Sequence, residues 1–422
     1  MMGLINHKLR HNFLLDRKIK EIRRLHELDN QKLYDYENRK FIELVNYAYK
    51  NSTFYKKYYD DFGIDINSIK TLDDIGKLPI IDKNIVAEFK KSILTKSSLW
   101  MVKGYTSGTS GSSLTVYRTF NAVLAENAYF WNFRNMHGIF EGDKLVVIRG
   151  DLNNDVLYKF DRYSNILYLS SFNINKNNIY KYIKLLIDFN PKCILGYPSS
   201  LEMLSNELSK VNINLNIPVA ITSSETLFGF QREKIRNFLG AKTFDWYGNA
   251  ERTVAIEQFP DGNYYFAPGY GFGEVFNDFL LTTSFINNSF PLIRYKVNDV
   301  IELGYDTELT GRPSSKMVAK IMGRDDDYIF LPDGTKIGRV SKVFKGLDDV
   351  LFAQIIQDEI ESVQLNVVPV SDKFDSRELM RRFRLVVGNQ ILIKFSFVTE
   401  NEIIKTKAGK YKLVINSLFK KQ

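Results

Sequence analysis

A single cysteine, Cys193, stands in the whole chain. One thiol excludes an intrachain disulfide and any cysteine-rich zinc site. Its place in the apolar run Cys193-Ile194-Leu195 marks a buried structural thiol rather than a nucleophile. Histidine is almost as scarce, with only His7, His11, His26 and His137. A Ser-His-Asp triad or a multi-histidine metal centre would have to draw on these few, so both are set aside. Long apolar runs are missing too: nothing approaches the roughly 18 uninterrupted apolar residues of a membrane-spanning helix. Charge occupies the N-terminal region where a signal peptide needs an apolar block, so the expected location is the cytoplasm.

What is present fits a folded enzyme-sized chain. Hydrophobic residues make up 44% and charged residues 25%, the proportions of a soluble globular protein. At 422 residues the chain exceeds one ordinary core and suits a large domain plus a small one. Lys and Arg number 58 against 49 Asp and Glu, leaving +9. Such an excess suits anionic substrates or an acidic membrane surface, and equally a generally Lys-rich composition. Residues 8 to 24 mix Lys8, Arg10, Arg17, Lys18, Lys20, Arg23 and Arg24 with Leu9, Phe13, Leu14, Leu15 and Ile19. A basic amphipathic helix of this kind can lie on an anionic bilayer, giving peripheral membrane association, but a solvated surface helix explains it more simply.

The stretch most specific in character is Lys103-Gly-Tyr-Thr-Ser-Gly-Thr-Ser-Gly-Ser-Ser-Leu-Thr-Val-Tyr-Arg118, where Thr106, Ser107, Gly108, Thr109, Ser110 and Gly111 form a run of small hydroxyl and glycine residues. A loop of this make-up can turn its backbone N–H groups inward around an anion, and phosphate is the obvious guest. Strand-like flanks, Tyr105 before and Leu114 to Tyr117 after, argue for a tight connection rather than a flexible linker. No lysine follows Gly111, so it is not a Gly-x-x-x-x-Gly-Lys-Ser/Thr nucleotide loop.

Upstream, residues 29 to 62 are helical in pattern and end in Phe54-Tyr55-Lys56-Lys57-Tyr58-Tyr59, followed by Leu78-Pro79-Ile80-Ile81-Asp82-Lys83. Downstream, from 120 to 250, helical and strand-like segments alternate: a helix from Asn121 to His137, a strand from Lys144 to Ile148, then further pairs ending at Cys193 to Leu195, Val219 to Thr222 and Thr243 to Tyr247. Alternation of this kind predicts a mostly parallel sheet covered by helices, with ligands at the carboxyl ends of its strands. Ser223-Ser224-Glu225 ends one strand, and Asp245-Trp246-Tyr247-Gly248-Asn249-Ala250-Glu251 ends the next. There a flat Tyr247 ring can stack on a base, Gly248 lets the backbone approach a nucleotide, and the Glu251 carboxylate can hold Mg²⁺ against phosphates. Later come Pro291-Leu292-Ile293-Arg294-Tyr295-Lys296-Val297-Asn298-Asp299, Gly323-Arg324-Asp325-Asp326-Asp327, and Lys405-Thr406-Lys407-Ala408-Gly409-Lys410-Tyr411-Lys412. Asp333-Gly334 signals a hairpin, and strand-like runs around a helix-like Ser376 to Val387 complete a compact α/β unit.

Taken in order, these pieces resemble the signatures of the adenylate-forming superfamily, which includes acyl-CoA synthetases and adenylation domains. The Phe-Tyr and Leu-Pro lead-in resembles its phenylacetate–CoA ligase branch and the CapK-type proteins of capsular polysaccharide biosynthesis. The resemblance implies an α/β fold with a large N-terminal adenylate-forming domain of mostly parallel sheets and helices, residues 1–322. A small mobile C-terminal α/β domain, 323–422, would carry the catalytic lysine. It implies that the Thr106–Gly111 loop holds pyrophosphate and that Ser223, Ser224, Glu225, Asp245, Trp246, Tyr247 and Gly248 border AMP. Asp299 would take the ribose hydroxyls, Arg324 the ribose or phosphate region, and Asp326 the hinge. Lys410, Glu251 and Thr109 would be catalytic, the last two holding Mg²⁺. The implied reaction consumes ATP and a small carboxylic acid, and passes the acyl group to a thiol or amine: coenzyme A, or an amino sugar or nucleotide sugar. No nucleic-acid partner is expected. Tyr129, His137, Gly196 and Tyr197 are the expected acyl-pocket residues. One departure is notable: Ser112-Ser113 stand where the family often has Lys-Pro, so Arg118 or Lys103 would have to supply the missing charge, or the enzyme is slow. Two other readings stay open. Asp325-Asp326-Asp327 can be the Asp-x-Asp of a Mn²⁺-dependent glycosyltransferase, and the missing loop lysine fits an ATP-binding scaffold without turnover.

Overall fold

The computed structural model describes the chain except residues 1–12, 100, 106–113, 151, 153–155, 277–278, 298, 305–316, 325–328, 334–335, 338–339, 341–342, 344–349, 370–373, 405–412 and 419–422. It divides into two compact units, each built from separate stretches of chain: Met1–Glu141 with Asp245–Ile321, and Gly142–Phe244 with Met322–Gln422.

In the first unit, capping residues decide where the N-terminal helices begin. Asp29 accepts from the Lys32 amide to open Asn30–Asn51, and Ser52 both closes that helix and opens Thr53–Asp61. The first described helix, Phe13–His26, buries Leu15, Ile22 and Leu25 and packs on Phe120–Met136. Its apolar stripe is thus used inside the protein, while Arg17, Lys20, Arg23 and Arg24 face outward. Among the described residues no helix is long and apolar enough to cross a membrane.

The tyrosine-rich lead-in has a structural task. Tyr55 is fully buried, donates its hydroxyl proton to the Pro291 carbonyl at 3.0 Å and accepts from the Ile293 amide at 3.1 Å. Ile81 bridges to Tyr295 in parallel, with the Lys296 amide 2.8 Å from the Ile81 carbonyl. Two segments more than two hundred residues apart, the Leu-Pro lead-in and the Pro-Leu-x-Arg-Tyr motif, therefore share one core with Phe41, Leu44, Val254 and Leu292. Strand pairing in this unit is antiparallel, in the hairpin Val102–Tyr105 with Thr115–Arg118, in the pairings of Ala255–Gln258 with Lys242–Gly248 and Tyr264–Phe266, and in the three-stranded sheet Gly271–Phe276, Phe279–Ser284, Tyr295–Val297.

The parallel sheet expected from the alternating pattern lies in the second unit. Its order is Val219–Ser223, Cys193–Gly196, Leu145–Arg149, Ile166–Ser170, with Tyr158–Asp161 antiparallel at the edge. Helices Ile179–Phe189, Pro198–Lys210 and Gly229–Leu239 accompany it. Two of them stop at left-handed residues, Asn190 and Gly240, as helix C-termini commonly do. Cys193 is fully buried. The C-terminal part of this unit forms a four-stranded sheet in the order Leu392–Phe397, Ser362–Pro369, Val350–Glu359, Val414–Asn416, with helix Ser376–Val387. Phe352, Val368 and Ile403 from this part belong to the same apolar cluster as Leu204, Leu208 and Ile235 of the helical layer.

Candidate active site

The strand Lys242–Gly248 carries the first motif. Its register against Ala255–Gln258 sets Tyr247 opposite Ile256 and Gly248 opposite Ala255. Asp245 is buried, its amide donating to the Gln258 side chain at 3.1 Å. Trp246 sits edge-on between Phe130 and Phe133. Gly248 has a packing reason of its own, since a Cβ there would lie 3.1 Å from the Trp246 indole nitrogen.

Two hydrogen bonds join this motif to the later one. The Tyr247 hydroxyl donates to Asp299 at 2.7 Å, and the Tyr295 hydroxyl donates to Glu251 at 2.9 Å. Burial, reinforced by the Glu251 charge, raises the Tyr295 pKa, so this phenol is a proton donor throughout the neutral range. Tyr247, Asp299 and Glu251, the residues expected at base, ribose and metal, are thus each held by a hydrogen bond between the two motifs within one unit. The expected metal fits this chemistry: Mg²⁺ is ordinarily held by one or two carboxylates plus substrate phosphates, and Glu251 is oriented by a neutral donor on one oxygen. Among the described residues no cluster of three or more acidic, histidine or cysteine ligands occurs.

The flanks of the Gly/Ser/Thr loop reach the same place. Arg118, at the end of the hairpin's second strand, donates through Nη2 to the Ala250 carbonyl, next to Glu251. On the preceding strand Gly104 lies directly under the Arg118 guanidinium, where any Cβ would collide with it. Around Arg118 gather Arg252, Glu126 and Tyr270, the last donating its hydroxyl to Glu126. Burial lowers the Arg118 pKa, with Arg252 adding like-charge repulsion, and burial raises that of Glu126 against the pull of both arginines. Sequence reasoning missed Glu126, Arg252 and Tyr270. The available signal was the helix's one acid, set among Ala122, Ala125, Ala128 and Tyr129.

In the second unit, Ser223 and Ser224 close the strand Val219–Ser223, and the Glu225 carboxylate accepts from both the amide and the hydroxyl of Ser199, each at 3.1 Å. Ser199 is in the first turn of Pro198–Lys210, capped by Tyr197 directly after Gly196. A carboxylate there meets the positive end of the helix dipole. Ser223–Glu225 and the expected pocket residues Gly196 and Tyr197 are therefore brought together. Tyr129 and His137 are buried in the first unit, with Tyr129 donating to the Pro268 carbonyl at 2.8 Å and His137 Nε2 2.9 Å from the Gln258 carbonyl. Thr106–Gly111, Asp325–Asp327, Asp326 among them, and Lys410 lie outside the described residues, as does the side chain of Arg324.

Backbone strain singles out the same motifs. Among the described residues, the non-glycine positions with positive φ are Asn165, Asn190 and Asn212, which tolerate it, and Ser224, Arg252 and Arg294, which do not. Ser224 sits at φ 68° directly after the strand Val219–Ser223. Left-handed residues of this kind cost about 1–3 kcal/mol each and cluster at functional sites.

Residues 329–417 match the CapK C-terminal domain family. The chain is 25% identical to Protein CapK of Staphylococcus aureus over 94% of its own length and 92% of that protein. It is 22% identical to a phenylacetate-coenzyme A ligase of Thermus thermophilus over 73% of this chain and 74% of the other. Its structure superimposes on 2-hydroxyisobutyryl-CoA ligase in the postadenylation state with a TM-score of 0.74 and 17% identity, covering 93% of this chain and 91% of that one. The fold is that of the adenylate-forming ligases. Within it, residues 329–417 match the CapK C-terminal domain family, and pairwise similarity over most of its length links the chain to CapK and to phenylacetate–CoA ligases.

Proposed function

We propose that the protein is an ATP-dependent ligase that converts a small carboxylic acid into its acyl-adenylate and passes the acyl group to a thiol or amine. The observation that carries this reading is the linkage of Tyr247 to Asp299, of Tyr295 to Glu251 and of Arg118 to Ala250, which assembles three sequence motifs around one point. In the first step a carboxylate oxygen attacks the α-phosphorus of ATP, the bond to the bridging oxygen breaks, and pyrophosphate leaves. In the second, the acceptor attacks the acyl carbon, AMP departs, and the acceptor's proton goes to solvent.

Negative charge spreads over phosphoryl oxygens during the first step, so positioning and electrostatic stabilisation dominate. Tyr247 supplies a flat face and Asp299 accepts from the ribose hydroxyls, each fixed by the other. Glu251, with Thr109, would hold Mg²⁺, which supplies charge neutralisation on the phosphates. The Thr106–Gly111 loop cradles pyrophosphate, and Lys410, in a small domain formed by residues 323–422 pivoting at Asp326, would bridge the carboxylate and the α-phosphate. The name of the phenylacetate-coenzyme A ligase relative supports coenzyme A as acceptor, and the resemblance to CapK-type proteins suggests a role in surface polysaccharide assembly. The outward cations of Phe13–His26 leave an electrostatic contact with an acidic membrane surface open, without insertion.

Carboxylate-dependent ATP–pyrophosphate exchange tests the reading, run over a panel of acids and followed by acyl transfer with and without coenzyme A. Exchange should appear with one acid class and fall by roughly 10² to 10³ in Lys410→Ala. ATP binding with no exchange for any acid would instead identify a scaffold.

A further inference from the structure

We propose that Arg118 and Arg252 together form an anion subsite that receives the pyrophosphate end of the nucleotide, in place of the lysine that the Gly/Ser/Thr loop lacks. This rests on the adenylate-forming reading of the same site. Of the two cations that sequence alone offered as substitutes, Lys103 is exposed, whereas Arg118 is drawn inward.

Register and side-chain direction disagree at Arg118 in an informative way. Its backbone pairs with Val102, yet its guanidinium lies over Gly104, two residues nearer the loop. Only a glycine leaves room for that course. The Nη2 group is anchored on the Ala250 carbonyl, while Nε is buried with no hydrogen-bond partner among the described residues. Arg252 follows Glu251 with φ 56°, a conformation that arginine adopts at a cost, and among the described residues its guanidinium makes one hydrogen bond, a long 3.4 Å contact to the Ala122 carbonyl. Neither guanidinium forms an ion pair within 4 Å among the described residues, and Glu126, which attracts both, also accepts from Tyr270.

Two cations held close, one with an unused buried N–H group, are an unfavourable arrangement in an empty site and a favourable one around a polyanion. A planar fork also suits phosphate oxygens better than a lysine would. The guanidinium stands between Gly104, on the strand that leads towards the loop sequence, and the turn that bears Glu251, the proposed metal ligand, which suits it to the leaving group of the first step. Arg118 is thus both the tie between the strand Thr115–Arg118 and the turn and, on this proposal, a ligand of the departing pyrophosphate.

The test measures displacement of a fluorescent ATP analogue by magnesium pyrophosphate and, separately, by AMP. The proteins are the wild type, Arg118→Met, Gly104→Ala, which evicts the guanidinium without removing its charge, and Arg252→Asn, which keeps a left-handed backbone accessible. Pyrophosphate affinity should fall about 10-fold or more in Arg118→Met and in the same direction in the other two, with AMP affinity changed by less than about 2-fold. Equal weakening of both ligands, or no change for pyrophosphate, would overturn the subsite and leave Arg118 as a structural tie. Direct calorimetry with magnesium pyrophosphate accompanies the competition. If the wild type binds no ATP analogue, the adenylate-forming reading fails, while the calorimetric comparison of the same variants still decides the subsite; should Arg118→Met not fold, Gly104→Ala and Arg252→Asn decide it.

Discussion

Replacing Arg294 with methionine should cost the first unit about 3–4 kcal/mol of folding stability. Its Nη1 donates to two backbone carbonyls, Gly76 at 3.1 Å and Leu78 at 2.7 Å, while Nε and Nη2 reach the Glu274 carboxylate at 3.2 to 3.4 Å. Methionine keeps much of the apolar stem but leaves two carbonyls and a carboxylate without a donor. The side chains are 9% and 16% exposed, so the pair is largely, though not wholly, out of water. Removing one partner of a fully buried pair costs about 3–5 kcal/mol, and water reaching Glu274 moves the expectation to the lower half of that range. Arg294→Lys keeps the charge but loses the fork, and should cost about half as much. The left-handed backbone, φ 53°, does not enter the comparison, because all three residues bear the same strain there. Urea unfolding followed by tryptophan fluorescence isolates the relevant unit, since Trp100, Trp131 and Trp246 all fall within its sequence ranges. A loss below about 1 kcal/mol for methionine, the level of an exposed ion pair, would refute the reasoning.

Tyr295→Phe removes the donor on Glu251 without altering the ring's packing; exchange activity should fall about 10-fold while unfolding shifts by only about 1 kcal/mol. Burial pulls His26 down, but the Glu257 charge and its 2.8 Å hydrogen bond outweigh it and hold the imidazole above its ordinary 6.5. The folded state then binds the proton more tightly, so this contribution is complete below pH 6.5 and is lost as pH rises through the raised value. His26→Gln should flatten that slope in urea titrations run at several pH values. Glu202, buried and raised from 4.5 by desolvation despite Lys234 and Gln231, makes the second unit lose stability as pH climbs above 4.5. Hydrogen exchange at amides of the helix Pro198–Lys210 should show that loss, and Glu202→Gln should diminish it.

Much of the second unit could be read directly from periodicity. Helical spacing and short apolar strands alternate there because each strand is covered by the helix that follows it, which leaves a regular imprint on composition. The first unit left a weaker imprint. Its motifs were recognisable by resemblance, but what ties them together depends on pairs far apart in sequence: Tyr55 with Pro291, Tyr247 with Asp299, Tyr295 with Glu251. No local pattern encodes such pairs. Strain was equally invisible, since nothing about serine or arginine announces a left-handed backbone at Ser224, Arg252 or Arg294. Arg294 illustrates the difference between spotting a motif and knowing its task. Within the Pro-Leu-x-Arg-Tyr segment it clamps the lead-in to a strand, and the neighbouring tyrosine is the residue that meets the site. Discontinuity was hidden for a related reason: the side chains that join residues 322–422 to the helical layer, Phe352, Val368 and Ile403, sit on different elements and form no stripe.

Those three side chains bear on the proposed swing of residues 323–422. Any swing that withdraws Lys410 after adenylate formation would have to peel Phe352, Val368 and Ile403 off the helices that bury them, together with the Lys210 to Glu400 ion pair. Wetting three apolar side chains of this size opposes the motion by about 5–8 kcal/mol unless another surface receives them. Turnover would then be paced by rearrangement of the protein rather than by bond making, and a substitution that loosens this seam, such as Phe352→Ala, would quicken the cycle while weakening the fold.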